Sequence, residues 1–222
     1  MSRFDPTARD AEELWERMYA AHGGHVWTGR PNAALVDATA DLTPDTTTST
    51  ALDLGCGEGG DVLFLASRGW RVTGVDVSGT ALDRARAHAE EAGVADRTRF
   101  ERHDLGVSFP DGTFDLVAAS FLHSYAFLDR AAVLRRAAEA VAAGGSLLVV
   151  GHVSRPEQLG PLGEDFPGAD VALPDPDELL STLALPSQDW TVARKELLER
   201  TTTFEDGSEG VWRDGVLRLD RR

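Results

Sequence analysis

The chain has 222 residues, 42% hydrophobic and 27% charged, the profile of one globular domain with room for an apolar core. Its 37 acids against 22 bases leave a formal charge of −15. That balance argues against nucleic acid and anionic membrane surfaces, both of which are bound through clustered Lys and Arg, so a small molecule is the expected partner. The single cysteine, Cys56, excludes an internal disulfide and a cysteine-rich metal site and points to a reducing cytoplasm. The opening MSRFDPTARDAEELW has no apolar signal segment, and no run approaches the roughly 18 apolar residues of a membrane span.

The first predicted element is a helix over residues 10–20, where Leu14, Trp15 and Met18 recur at helical spacing and are assigned to the core. Pro31 is placed at the N1 position of a second helix, PNAALVDATADL, and TPDTTTST at 43–50 is a loop. Apolar strand-like runs then alternate with helical ones: ALDLG and a helix from Gly59 to Ser67, RVTGVDV and a helix from Thr80 to Ala92, then TRFERHD. FDLVAASF, a helix from Asp129 to Ala143, and SLLVVGHV complete the series. Such alternation predicts an α/β fold: a doubly wound, mostly parallel sheet with helices on both faces. Gly144-Gly145 reads as the stop signal of the last of these helices, with Ala142-Ala143 letting it lie close to the sheet.

Next comes RPEQLGPLGEDFPGADVALP, at 155–174, a Pro/Gly-rich acidic loop of unusual length. It reads equally as a cover over a substrate and as a solvated insertion. Asp175-Pro176-Asp177-Glu178 has the N-cap, N1 proline and N3 acid that start a short helix, DELLSTL. WTVARKELLERTTTF and GVWRDGVLRLDRR supply two more strands, with Asp214-Gly215 either a hairpin turn or part of the final one. Neither repeats nor a composition shift marks a second domain. The expected organisation is one domain over 1–222, with a helical cap at 1–45, a ligand-binding core at 50–153, and a substrate-side loop and last strands at 154–222.

The turn DLGCGEGG, residues 53–60, contains G-x-G-x-x-G between a strand and a helix. In a doubly wound sheet the ligand lies outside the carboxyl ends of the strands, so this turn is the expected cradle. A pyrophosphate there would meet carboxylates at Asp53, Glu58 and Asp61, each pair of like charges costing ~1 kcal/mol in water and ~4 at an effective dielectric near 20, at about 4 Å. A ligand with an ammonium group, a sulfonium and free ribose hydroxyls gains from the same acids and still uses the glycines for close approach. S-adenosylmethionine is such a ligand.

ALDLGCGEGGD, VTGVDVS, RHDL, FDLVAASFLH and LRRAAEAVAAGGSLLVVGH resemble, in order and spacing, the successive motifs of class I (Rossmann-like) S-adenosylmethionine-dependent methyltransferases over about residues 50–153. The likeness is to the small-molecule type, similar to the thiopurine and tellurite-resistance enzymes. The resemblance implies a seven-stranded, mostly parallel sheet with a C-terminal antiparallel strand, S-adenosylmethionine as cofactor and S-adenosylhomocysteine as product. It places Asp53 and the Gly55, Cys56 and Gly57 backbone at the methionine portion, Asp76 with Val77 at the ribose, Asp104 with Leu105 at the adenine, and Ser120 among the cofactor contacts. Two rival readings remain: a dehydrogenase, which also uses an acid such as Asp76 but needs a proton donor that no segment supplies, and a non-catalytic nucleoside-binding protein on the same fold.

Ala118-Ala119-Ser120-Phe121 stands where amino-methylating DNA enzymes carry an Asp/Asn-Pro-Pro-aromatic stretch, so DNA bases are not the expected acceptor, and no acid follows Asp115 to complete a magnesium site, so no metal is expected. A base is needed only if the acceptor must lose a proton. His123 and His152, at the ends of the fourth and fifth strands, are the candidate catalytic residues, and each has the rival role of bonding a loop carbonyl. His88 is expected at the surface. The aromatic-rich preamble WERMYAAHGGHVWTGRPN resembles the segments that lie over the cofactor in small-molecule methyltransferases, which makes Tyr19, Trp27 and Asn32 the candidate substrate-side residues. Neither the acceptor nor the oligomeric state is legible.

Overall fold

The structure is a computed structural model that describes residues 11–23, 25–124, 128–154, 173–203 and 207–222. Helices α1 (Ala11–Ala21) and α2 (Ala33–Ala38) precede β1 (Thr50–Leu54), α3 (Gly60–Ser67), β2 (Arg71–Asp76), α4 (Gly79–Glu91), β3 (Thr98–Arg102), β4 (Phe114–Ser120) and α5 (Arg130–Glu139). β5 (Val141–Ser154), α6 (Pro176–Leu183), β6 (Trp190–Thr203) and β7 (Glu209–Arg221) follow. The strands form a seven-stranded sheet in the order β3-β2-β1-β4-β5-β7-β6. β1 to β5 pair in parallel, while β7 runs antiparallel to both of its neighbours.

The central strands are apolar runs because helices cover both faces of the sheet. Successive residues feed opposite cores: Ala51 lies with Leu65, Leu82, Leu116 and Leu148, whereas Leu52 and Leu54 lie with Val117, Leu134, Leu147 and Leu183. The order of strands reverses between β1 and β4, which opens a crevice at their carboxyl ends. The glycine turn after β1 and the residues after β4 meet there.

Two local expectations are corrected and one open alternative is decided. Pro31 does not occupy N1 of α2; Asn32 is the N-cap, its side chain accepting from the Ala34 and Leu35 amides. α5 ends at Glu139, and Ala142-Ala143-Gly144-Gly145 belongs to β5. The register shifts between Phe114 and Leu116 of β4, where a Cβ on Gly145 would stand 2.8 Å from the Asp115 carbonyl oxygen, so the glycines serve an irregularity in the strand instead of ending a helix. Asp214 and Gly215 lie inside β7. The capping box at Asp175 and Glu178, with Pro176 opening α6, forms as expected. Residues 155–172 of the long loop lie outside the described residues. Among those described, no helix is long and apolar enough to cross a membrane.

Candidate cofactor and acceptor site

The turn after β1 is tied to β2 by the Gly55 and Cys56 amides, which donate to the Val75 carbonyl at 2.8 and 2.9 Å. Gly57 then adopts φ +53, and a Cβ there would stand 2.9 Å from the Tyr19 hydroxyl and 3.5 Å from the Trp27 ring. A side chain would fill the cradle. The Gly57 and Ser78 amides donate to the two oxygens of Asp76, each at 2.9 Å. A carboxylate has about four acceptor positions, so Asp76 retains capacity for a diol.

The acids divide into two groups, which the sequence could not separate. Asp53 is buried, and burial together with the charges of Asp61 and Asp76 pushes its carboxyl well above the usual range. Burial also raises Asp76, against the pull of the Ser78 and Gly57 amides, and raises Asp61, against the pull of the Asn32 amide. Ser120 lies against Asp61 and lowers its pKa, yet Ser120 Oγ is buried and makes no hydrogen bond of normal geometry. Buried carboxylates short of cations beside an unsatisfied hydroxyl fit a ligand that brings an ammonium, a sulfonium and hydroxyls. Cys56 is a buried free thiol, its pKa raised by burial and then by Asp76 and Asp53.

Glu58 belongs to the other group. Expected to face the ligand, it instead holds the preamble: Oε2 accepts from the Val26 and Trp27 amides at 3.0 and 3.1 Å, and Oε1 pairs with Arg84 at 2.8 Å. Arg84 also donates to the Tyr19 carbonyl at 3.0 Å. Asp61 accepts from the Asn32 amide at 2.6 Å, and Glu16 of α1 takes the Ser78 hydroxyl at 2.7 Å and the Thr80 hydroxyl at the start of α4. These contacts fasten α1 and residues 25–32 over the glycine turn. Tyr19 is buried there, its hydroxyl accepting from Trp27 Nε1 at 2.8 Å, with burial and then Asp76 raising its pKa, while Trp27 stays 50% exposed. Asn32 contributes its amide to Asp61 and its side chain to the α2 cap. Trp15 and Met18 are half-buried, Trp15 beside Ala11 and Leu14. His88 is half-buried too, with Nδ1 3.0 Å from the Glu58 carbonyl oxygen and its ring stacked on His25, so the surface expectation is corrected.

After β2, Val77 is half-buried and its carbonyl accepts from Arg102. Asp104 Oδ1 accepts from the Gly106 amide at 2.9 Å in a side-chain turn, and Leu105 enters the core beside Val75.

At the other side of the crevice, Phe121 follows β4 with φ +50, a left-handed conformation that a bulky residue adopts only at a cost. The two candidate histidines come together: their rings lie 5.6 Å apart and nearly parallel, and the His152 amide donates to His123 Nε2 at 3.2 Å. That lone pair of His123 is therefore engaged within the fold. His152 Nδ1 lies 2.7 Å from Asp214 Oδ1, and Asp214 Oδ2 accepts from Arg200 at 2.6 Å. Asp214 was invisible as a site residue because its partners are 62 and 14 positions away in sequence.

With this geometry in place, residues 51–145 match the methyltransferase-domain family. Residues 51–145 carry a methyltransferase domain. S-adenosylmethionine is the cofactor of such a domain. The domain is similar to the 27-O-demethylrifamycin SV methyltransferase of Amycolatopsis mediterranei (strain S699), at 31% identity over 158 residues, which cover 67% of this chain and 57% of that one. The chain thus spans little more than half of that relative. A structure solved in work on the conversion of a disulfide bond into a thioacetal group during echinomycin biosynthesis superposes with a TM-score of 0.71 at 25% identity, covering 96% of this chain and 92% of its own. An S-adenosylmethionine-dependent methyltransferase from Geobacter sulfurreducens, solved with S-adenosylhomocysteine, shares the fold at a TM-score of 0.60 and 20% identity, covering 95% of this chain and 98% of its own.

Proposed function

We propose that this protein is a cytoplasmic, S-adenosylmethionine-dependent methyltransferase acting on a small-molecule acceptor. The observation that carries the reading is the set of buried acids at Asp53, Asp61 and Asp76 around a glycine turn, with Ser120 Oγ unsatisfied beside them. In this reading Asp53, Ser120 and the Gly55, Cys56 and Gly57 backbone take the methionine end, Asp76 and Val77 the ribose, and Asp104 and Leu105 flank the adenine. Tyr19 and Trp27 wall the site above Gly57, and Asn32 holds the preamble in place. The names of the relatives above, which refer to rifamycin and echinomycin chemistry, support a small organic acceptor.

The bound cofactor supplies an electrophilic methyl on sulfonium. The protein's task is to keep acceptor and methyl in line in a dry pocket, and orientation of this kind supplies ~7–11 kcal/mol. Of the two candidate bases we assign the role to His152, because the Nε2 lone pair of His123 already accepts from the His152 amide.

Thermal melts with S-adenosylmethionine, S-adenosylhomocysteine, NAD and NADP test the reading, since a ligand at ~100 times its dissociation constant adds ~2.7 kcal/mol. A rise with the two sulfur compounds alone is expected. A rise with NAD overturns the cofactor assignment, and no response to any of the four returns the chain to a non-catalytic role.

A further inference from the structure

We infer that Asp214 and Arg200 are positioning residues that hold His152 as a general base, so that the acceptor is a molecule whose attacking atom carries a proton: a hydroxyl, a thiol or an N–H group. The inference rests on the methyltransferase reading and adds to it the class of acceptor and two residues outside the family's motifs.

His152 lies near the carboxyl end of β5, in register opposite Asp214 of β7, and the ladder shifts just beyond it, between His152 and Ser154. Such irregularities re-aim side chains at the ends of strands. The Asp214 side chain is 4% exposed. Burial alone would raise its pKa, but the hydrogen bonds from His152 and Arg200 hold it below the usual carboxylate value. An ionised Asp214 accepts only, so Nδ1 of His152 carries the ring proton and Nε2 presents a lone pair. Nε2 has no hydrogen-bond partner among the described residues and is not among the buried unsatisfied atoms. The ring packs against Phe121 and Trp212, each with its centroid 4.4 Å away.

Arg200 reaches Asp214 from β6 and also lies 6.0 Å over the Trp212 ring, so one guanidinium steadies both the carboxylate and one wall. His123 stacks on His152, and Arg130 reaches the same edge: a Cβ on Gly151 would meet Arg130 Nη2 at 3.1 Å and His123 Nε2 at 3.3 Å. Among the described residues, the charged and titratable groups around His152 are thus Asp214, Arg200, His123 and Arg130. A merely structural tie between strands is a poor explanation, because β7 already pairs without a break with β6 from Glu209 to Arg218 and with β5 from Asp214 to Asp220.

In the step this arrangement serves, the acceptor X–H bond breaks and its proton passes to His152 Nε2. The X–C bond forms with the methyl carbon, and the S–C electron pair stays on sulfur as sulfonium becomes thioether. His152 then returns the proton to solvent. An acceptor whose attacking atom has no proton gains nothing from His152.

The test uses the full chain with ¹⁵N-labelled histidine and bound S-adenosylhomocysteine, at pH 8. His152 is expected as the Nδ1–H tautomer in the wild type and as a mixture in Asp214→Asn, with affinity for S-adenosylhomocysteine within twofold in both. On a panel of thiophenol, phenol and N-methylaniline against thioanisole and N,N-dimethylaniline, turnover is expected only for the members with a proton. Asp214→Asn should lower kcat on phenol at least tenfold at neutral pH, with a smaller loss as the pH approaches about 10, where a phenol ionises unaided. An Nε2–H tautomer in the wild type, an unchanged tautomer in Asp214→Asn, or turnover confined to the protonless compounds overturns the inference. The tautomer decides where no panel member reacts, and a wild type that fails to bind S-adenosylhomocysteine counts against the methyltransferase reading instead.

Discussion

Glu58 and Trp27 stand 31 positions apart in sequence, and the Glu58 carboxylate accepts the Trp27 backbone amide at 3.1 Å. A residue of the glycine turn therefore fixes the segment that roofs it. The segment from Val26 to Trp27 and the glycine turn are thus held by one carboxylate.

Replacing Glu58 by Gln should loosen that roof. A glutamine at this position cannot satisfy two amides and Arg84 together, and leaving such groups unpaired costs about 1–3 kcal/mol, measurable by urea denaturation along with weaker binding of S-adenosylhomocysteine. The pH dependence gives a signature. Burial acts to raise Glu58, but the Trp27 and Val26 amides and Arg84 hold it below 4.5. A folded pKa below the unfolded one gives stability that is present above the unfolded value and lost as pH falls through the folded one. The stability gap between wild type and Glu58→Gln should therefore narrow under strongly acid conditions; a gap independent of pH would falsify the clamp.

Asp76→Asn is the cleaner probe of the ribose contact. Asp76 closes the Gly57 and Ser78 amides as well as offering acceptors to a diol, so Asp76→Ala would disturb the fold along with the site. The asparagine keeps one acceptor oxygen and loses the charge that strengthens hydroxyl contacts. Calorimetric titration well below the melting temperature should show affinity for S-adenosylhomocysteine falling tenfold or more, beside a stability loss of about 1–3 kcal/mol from the one amide left unpaired; unchanged affinity would remove Asp76 from the site.

The crowded acids at Asp53, Asp61 and Asp76 make a second pH prediction, opposite in sign. Their carboxyls are raised by burial above the ordinary 3.8, so the folded state binds more protons than the unfolded chain and these groups cost stability at neutral pH. That cost shrinks as pH falls through the folded values. The ligand-free protein should therefore lose less stability on mild acidification than Asp53→Asn does, compared in parallel melts. Affinity for S-adenosylmethionine should fall over the same range, because protonated acids no longer attract its cations. Identical pH profiles for the two proteins would show that Asp53 is not part of an ionised cluster.

Arg130 offers a test of stability against function. Burial lowers its pKa from the usual guanidinium range to about 10, and among the described residues it has no ion pair and its Nε has no partner. With the folded pKa below the unfolded one, the charged form disfavours folding at neutral pH, and stability attributable to this group rises only as pH passes about 10. Arg130→Met keeps the apolar stem without the guanidinium charge and should stabilise by on the order of 1 kcal/mol or more, read from the urea midpoint. A destabilised Met variant would mean that the guanidinium has a partner essential to the fold.

Much of this was legible in the chain itself. The alternation from ALDLG to SLLVVGHV determined a doubly wound sheet, because strands covered on both faces must be apolar throughout, and the capping signal at Asp175-Pro176-Asp177-Glu178 determined the start of α6. The glycine turn and Asp76 are equally local: a positive φ at Gly57 and an acid at the end of β2 depend on residue type and position alone. The limits of α5 were not, because Gly144-Gly145 serves either a helix end or a strand irregularity, and only the close approach of Asp115 decides between them.

The tertiary structure alone decided which charges face which. The sequence places Asp53, Glu58 and Asp61 within nine residues, but folding turns Asp53 inward among other acids and gives Glu58 to Arg84 and the preamble. Likewise the sequence offers two candidate histidines, and only the pairing of β5 with β7 gives His152 the Asp214 carboxylate while engaging His123 with a backbone amide. Hydrogen bonds act over about 3 Å, so groups many residues apart become chemistry only when the fold sets the distance between them.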